Sequence, residues 1–213
     1  MVRAPEDWRK TLRHAEALVR RRDRRAFDLL IPALRWRYDT ARGRAVALLA
    51  KIGPEAVPCL FERVDHAETA VERRSAMDAL GLIRDSRAVP RLIRGLEDPA
   101  MSVRRSAMVA LLRLEAMSAV PRVIRGLRDE SGGVRVLAAT VLGRFEDPRA
   151  VPALVQSLRD PQWYVRQHAA VACGALGIRA GAEKLRAAET DARKAVREAA
   201  ARALDQLARR LRR

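Results

Sequence analysis

The sequence predicts an all-α fold: a right-handed α-α superhelix, a solenoid of about six helical-hairpin repeats behind an N-terminal cap helix. Three observations predict it. One line recurs almost unchanged, as AVPRLIRGLED at 88–98, AVPRVIRGLRD at 119–129 and AVPALVQSLRD at 150–160. A second anchor, Val followed by Arg, recurs at constant spacing at Val103-Arg104, Val134-Arg135, Val165-Arg166 and Val196-Arg197. Aromatics are only 4% of the 213 residues while Ala, Leu, Val and Arg dominate, which is a helical composition. A fixed period of this length marks a stacked repeat, in which each unit buries its apolar face only against its neighbours.

The elements follow in order. Residues 1–23 are assigned to the cap, with Trp8, Leu12, Ala15 and Val19 on one helical face. Residues 24–213 hold the repeats, about 24–53, 54–85, 86–116, 117–147, 148–178 and 179–213, read as one continuous domain. In each, Pro at the helix start (Pro58, Pro90, Pro121, Pro152) costs no hydrogen bond and presets φ. Val120, Val123, Ile124 and Leu127 recur at helical spacing, and Asp, often with Pro after it, stops the first helix. The second helix starts near Val-Arg and closes near Gly81, Gly143 or Gly177. Its Ala107, Ala110, Ala138, Ala139, Ala169 and Ala172 allow helices to approach closely. Val71-Glu72 is an imperfect earlier copy of the anchor, and Thr40 stands one period before it. Residues from about 192 onward form the closing helix.

The pattern Ala-Val-Pro, apolar pair, Asp(-Pro), Val-Arg, small residues and Leu-Gly resembles the HEAT-like repeat, in the short form of phycobilin lyase subunits. The resemblance covers about nine-tenths of the chain. It implies the superhelical fold, with second helices lining the concave side, and is nearly silent about activity.

Charge narrows the partner. The net charge is +17, and Arg supplies 39 of the 43 basic residues. GC-rich codon usage accounts for Arg over Lys but not for the excess of base over acid. Such a field attracts nucleic acid, acidic proteins and anionic membranes. Residues 1–45 carry 13 basic and 6 acidic residues, whereas 46–100 carry 8 and 9, so the charge is uneven along the chain.

Two sets of arginines have different expected roles. Asp lies six residues before the anchor Arg in four copies: Asp98 and Arg104, Asp129 and Arg135, Asp160 and Arg166, Asp191 and Arg197. This spacing predicts a structural ladder that ties the turns together by charge-assisted hydrogen bonds. A second set leaves the core and is expected to face a partner: Arg73, Arg105, Arg113, Arg144, Gln167, His168 and Arg202. Trp163 and Tyr164, in the turn of the fifth repeat, are read either as a stacking platform for a partner or as packing between turns. Trp36 and Tyr38 are read as core.

Catalytic signatures are missing from the sequence. His14, His66 and His168 are isolated, and none is followed by Glu, so the His-Glu pairs of HEAT-repeat di-iron hydroxylases are absent. Cys59 and Cys173 lie in apolar helical contexts and suit core positions; no disulfide framework, metal set or cofactor is expected. The N-terminus is not apolar and no stretch is long enough to span a membrane, so a cytoplasmic protein, monomeric by preference, is expected. The reading is a non-enzymatic HEAT-repeat scaffold that binds an acidic protein or a nucleic-acid backbone on a basic concave surface. The alternatives are a base-excision enzyme resembling the HEAT-like alkylpurine DNA glycosylases, whose Trp–Asp signature has only a weak match in Trp36 and Asp39, and a phycobilin-lyase-like protein.

Overall fold

The computed structural model describes residues 7–177 and 181–211, and these contain helices and turns but no strand. Contacts cluster into two compact units, Met1–Leu114 and Glu115–Arg213. In the first, α1 (Trp8–Arg20) precedes three hairpins: α2 (Ala26–Ala33) with α3 (Asp39–Ile52), α4 (Val57–His66) with α5 (Ala70–Ile83), and α6 (Val89–Gly95) with α7 (Met101–Arg113). In the second, α8 (Val120–Gly126) pairs with α9 (Gly132–Phe145), α10 (Val151–Ser157) with α11 (Trp163–Leu176), and α12 (Ala182–Ala188) with α13 (Lys194–Leu211). Pro58, Pro90, Pro121 and Pro152 stand in the first turns of α4, α6, α8 and α10, each entered through a short 3-10 turn.

The cap helix starts on Asp7, whose carboxylate accepts from the Lys10 amide at 3.3 Å. Its buried stripe is Leu12, Ala15 and Leu18. Trp8 and Val19, expected on that face, are only half-buried. The Trp8 ring instead carries the Arg9 guanidinium 4.8 Å from its centroid.

Second helices stack on second helices, and small residues set their distance. Ala76, Ala79, Ala107 and Ala110 are sealed in the first unit, and Ala138, Ala139, Ala169 and Ala172 in the second. Leu80, Leu111 and Leu142 are also fully buried, each worth about 1.5–3 kcal/mol. Gly81 and Gly143 belong to this contact and not to the helix ends where the sequence placed them. A Cβ at Gly81 would lie 2.8 Å from the Ala110 Cα, and one at Gly143 would lie 3.0 Å from the Ala172 Cα. The stops come three residues later. Among the described residues, positive φ recurs once per 31-residue period, at Arg22 in the cap and then at Gly53, Arg84, Glu115, Glu146 and Gly177. Only two of these are glycines, so the residue types hide the period, and of the three expected glycine ends Gly177 alone is one.

An arginine ladder joins the turns. Arg135 Nη1 donates to the carbonyls of Asp129 and Glu130 at 2.8 and 3.2 Å, which closes its own turn. Its Nε and Nη2 donate to both oxygens of Asp160, in the next repeat, at 2.7 and 3.0 Å. Arg166 repeats this with Asp191 at 2.7 and 3.0 Å, and Arg73 with Asp98 at 2.7 and 3.1 Å. Each such Asp also accepts the backbone N–H two residues on: Ala100, Gln162 and Arg193. The Asp six residues before the Arg therefore offers its backbone carbonyl, as it also does to Arg104 and Arg197, while carboxylates pair 25 residues ahead.

The second repeat corrects the letter alignment. Arg73, not Glu72, holds the ladder position, one full period before Arg104. Glu72, 7% exposed, sits where the four later repeats bury Val and the first buries Ala41, with Arg63 Nη1 3.6 Å away. An acid at an apolar position shifted the anchor by one residue. The same period places Arg42 on the first rung. It is buried and donates to the Trp36 carbonyl and the Asp39 carboxylate, but its Nε has no partner, and Ala67 stands where the next Asp would be.

Three outcomes are expected from chemical denaturation. Ala67→Asp supplies the missing carboxylate and should stabilise by about 1–2 kcal/mol. Gly143→Ala should destabilise by about 1–3 kcal/mol through overpacking, whereas Glu146→Gly relieves a left-handed residue and should stabilise by about 0.5–1 kcal/mol.

Candidate functional site

Register decides which arginines are spent on the fold. Arg73, expected to face a partner, is held by Asp98 and by the Ala67 and Glu68 carbonyls. Arg74 takes the outward place, one period before Arg105. Together they line a groove of about 460 Å³ between α5 and α7, with Asp78, Leu82, Met101, Ser102, Ser106, Val109 and Arg113.

The groove is basic but mixed. Arg105 is exposed and has no hydrogen bond or ion pair among the described residues. Arg74 is loosely held, 3.6 Å from Asp39 and 3.8 Å from Asp78. Asp78 lines the groove together with Ser106 of the facing helix. Burial pushes its carboxyl above the ordinary value, and Ser106, Arg74 and Arg113 only partly offset this. Leu82 and Met101 are each 43% exposed, so the groove also shows apolar surface.

The remaining residues expected to face a partner belong to the second unit. Arg144 is exposed on the last turn of α9. Arg202 is exposed and lies 3.9 Å from Glu198 on its own helix. Gln167 is half-buried, and His168 Nδ1 lies 3.1 Å from Thr140 Oγ1, its ring held neutral more readily by burial. Tyr164 lies against Gly132, where a Cβ would meet its hydroxyl at 2.5 Å, so it packs between adjacent turns. Trp163 meets Tyr164 edge-on at 5.8 Å and stays 37% exposed. Trp36 is core, but Tyr38, read as core from the sequence, is 47% exposed. On the first helices, Arg91 and Arg94 clamp Asp65, each at 2.8 Å.

Sequence reasoning missed Arg74, Asp78 and Ser106. Counting back one period from Arg104 would have found Arg73 on the ladder and Arg74 beside it, and with them the register of the others.

Among the described residues, no group of three or more His, Cys, Asp or Glu could hold a metal ion, and no helix is long and apolar enough to cross a membrane. Cys173 is buried and its thiol is pushed up to about 12, which removes it as a nucleophile at neutral pH.

The family model for HEAT repeats matches residues 27–113, 60–133 and 120–205. This chain belongs to the HEAT-repeat family. Among curated proteins, none matches it in sequence. Solved structures share the fold. Human deoxyhypusine hydroxylase in complex with glycerol is 24% identical with a TM-score of 0.53, over 96% of this chain and 81% of that one. The complex of CpcE and CpcF of phycocyanin lyase, from Nostoc sp. PCC7120, is 24% identical with a TM-score of 0.50, over 98% and 89%. A designed armadillo repeat protein in complex with the peptide (KR)4 is 18% identical with a TM-score of 0.58, over 84% and 98%. At these identities the likeness is one of HEAT-type architecture, a superhelical repeat fold that hosts many functions.

The paired carboxylates give the HEAT array a defined acid limit. Asp85, Asp147 and Asp191 are held below the ordinary 3.8 by the guanidiniums of Arg87, Arg149 and Arg166. A lowered folded pKa means that these groups contribute fully above that value and lose their contribution as pH falls through the folded one. Thermal unfolding followed from pH 7 downward should show a steady midpoint to about pH 4 and a decline below it. Asp191→Asn should lower the neutral-pH midpoint and shallow that decline.

Proposed function

We propose that this HEAT-repeat protein is a non-enzymatic scaffold, a cytoplasmic monomer, that holds an acidic protein segment in the groove between α5 and α7. The observation that carries the reading is the lining. Arg105 has no partner among the described residues, Arg74 is loosely held, and Arg113 stands at the same groove beside exposed Leu82 and Met101. Cationic groups beside apolar surface suit a peptide, whose side chains use both. A nucleic-acid backbone favours a continuous cationic track. Following Arg74 and Arg105 by the period gives Val136, Gln167 and Glu198, so the positive run ends within the first unit. The designed armadillo protein holds the basic peptide (KR)4; a groove lined by arginine calls for the opposite sign. The +17 charge supports an acidic partner of either class through long-range attraction.

Fluorescence anisotropy with acidic peptides, duplex DNA, single-stranded DNA and RNA across a salt series tests this. Acidic peptides should retain binding at about 150 mM salt while nucleic acids lose theirs, as for generic attraction. Arg105→Glu with Arg113→Glu should weaken peptide binding at least ~10-fold, about 1.4 kcal/mol. Micromolar nucleic-acid binding at that salt, with a slope of several phosphates and no peptide binding, would overturn the proposal.

A further inference from the structure

The cations of the groove stand at two levels. Arg74 and Arg105 each follow the buried first-turn position, Glu72 and Val103, by two residues, so they share one level on neighbouring helices. Arg113 lies eight residues further along α7, about 12 Å at 1.5 Å per residue. Between the two levels stand Asp78 on α5 and Ser106 and Val109 on α7. Asp78 is half-buried and only loosely met by Arg74, 3.8 Å away. An acidic side chain is therefore attracted at either end of the groove and repelled at its middle.

An extended chain matches this pattern. Side chains on one face of a strand recur every second residue at about 3.3 Å per residue, so positions i and i+4 are about 13 Å apart with i+2 midway. A helical ligand would need about eight residues to cover the same distance. Resting on the proposed acidic-segment site, we infer that the groove selects an extended segment with acidic residues at i and i+4 and an uncharged hydrogen-bond donor at i+2. The end carboxylates meet Arg74 and Arg105 at one level and Arg113 at the other, and the middle donor, Ser, Thr, Asn or Gln, meets Asp78.

The test uses the full chain and three labelled peptides. The first is Gly-Glu-Ala-Ser-Ala-Glu-Gly. The second has the same composition with its two glutamates adjacent. The third replaces the central Ser by Asp. The spaced peptide should bind at least ~10-fold tighter than the other two, about 1.4 kcal/mol. In the Asp78→Asn variant, checked for native helicity, the central-Asp peptide should recover most of its loss while the adjacent-glutamate peptide stays weak. Equal binding of the two isomers would overturn the spacing and leave the acidic-segment site standing. No binding of any acidic peptide would overturn both. A central-Asp penalty unchanged by Asp78→Asn would overturn the role of Asp78.

Discussion

The rungs at Arg73, Arg135 and Arg166 are each one planar guanidinium shared between two turns. Hairpins of this length cannot bury an apolar face alone, so a repeat array stands or falls on contacts between neighbours. Apolar stacking supplies most of the energy and part of the register, through the close approaches at Gly81 and Gly143, although alanine and leucine faces elsewhere tolerate some sliding. The bidentate pairing of Arg135 with Asp160, and of Arg166 with Asp191, tolerates little. The same guanidinium holds the carbonyls of its own turn, and the Asp holds the amide that opens the next helix. Turn closure, helix start and neighbour register are thus set by one pair of side chains.

The ladder also sorts the charge. A chain with 39 arginines looks, as a string, like a polycation. In the structure many of them are committed: to ladder carboxylates, to the Asp23, Asp85 and Asp147 chelates two residues before Arg25, Arg87 and Arg149, or to Asp65. Other exposed arginines, among them Arg35, Arg144 and Arg159, stand elsewhere, and in the α5–α7 groove arginine outside the ladder lines a cavity with exposed apolar surface. Function in this HEAT array is accordingly sought at that place and not in the net charge.

The period, the two helices per repeat and the proline starts were legible because they rest on residue types with few substitutes. The left-handed helix ends were not, since Arg, Glu and Gly all serve there, and a conformation that recurs once per repeat leaves no common letter. Gly81 and Gly143 misled because a glycine needed for close approach reads like one needed for a turn. Arg73 was misplaced in the partner-facing set because Glu72 occupies a position that valine holds in the later repeats, and matching letters instead of counting residues moved Arg73 out of the ladder. Which carboxylate an arginine meets was also out of reach, because the pair is far apart in sequence and depends on how two hairpins stack.

A double-mutant cycle on Arg135→Gln and Asp160→Asn, read by urea denaturation, tests the ladder most directly. The ladder requires that each single change destabilises and that the two couple by at least ~1 kcal/mol, because each leaves a largely buried partner unpaired. Additive effects with no coupling would contradict it and return the register of the repeats to apolar packing alone.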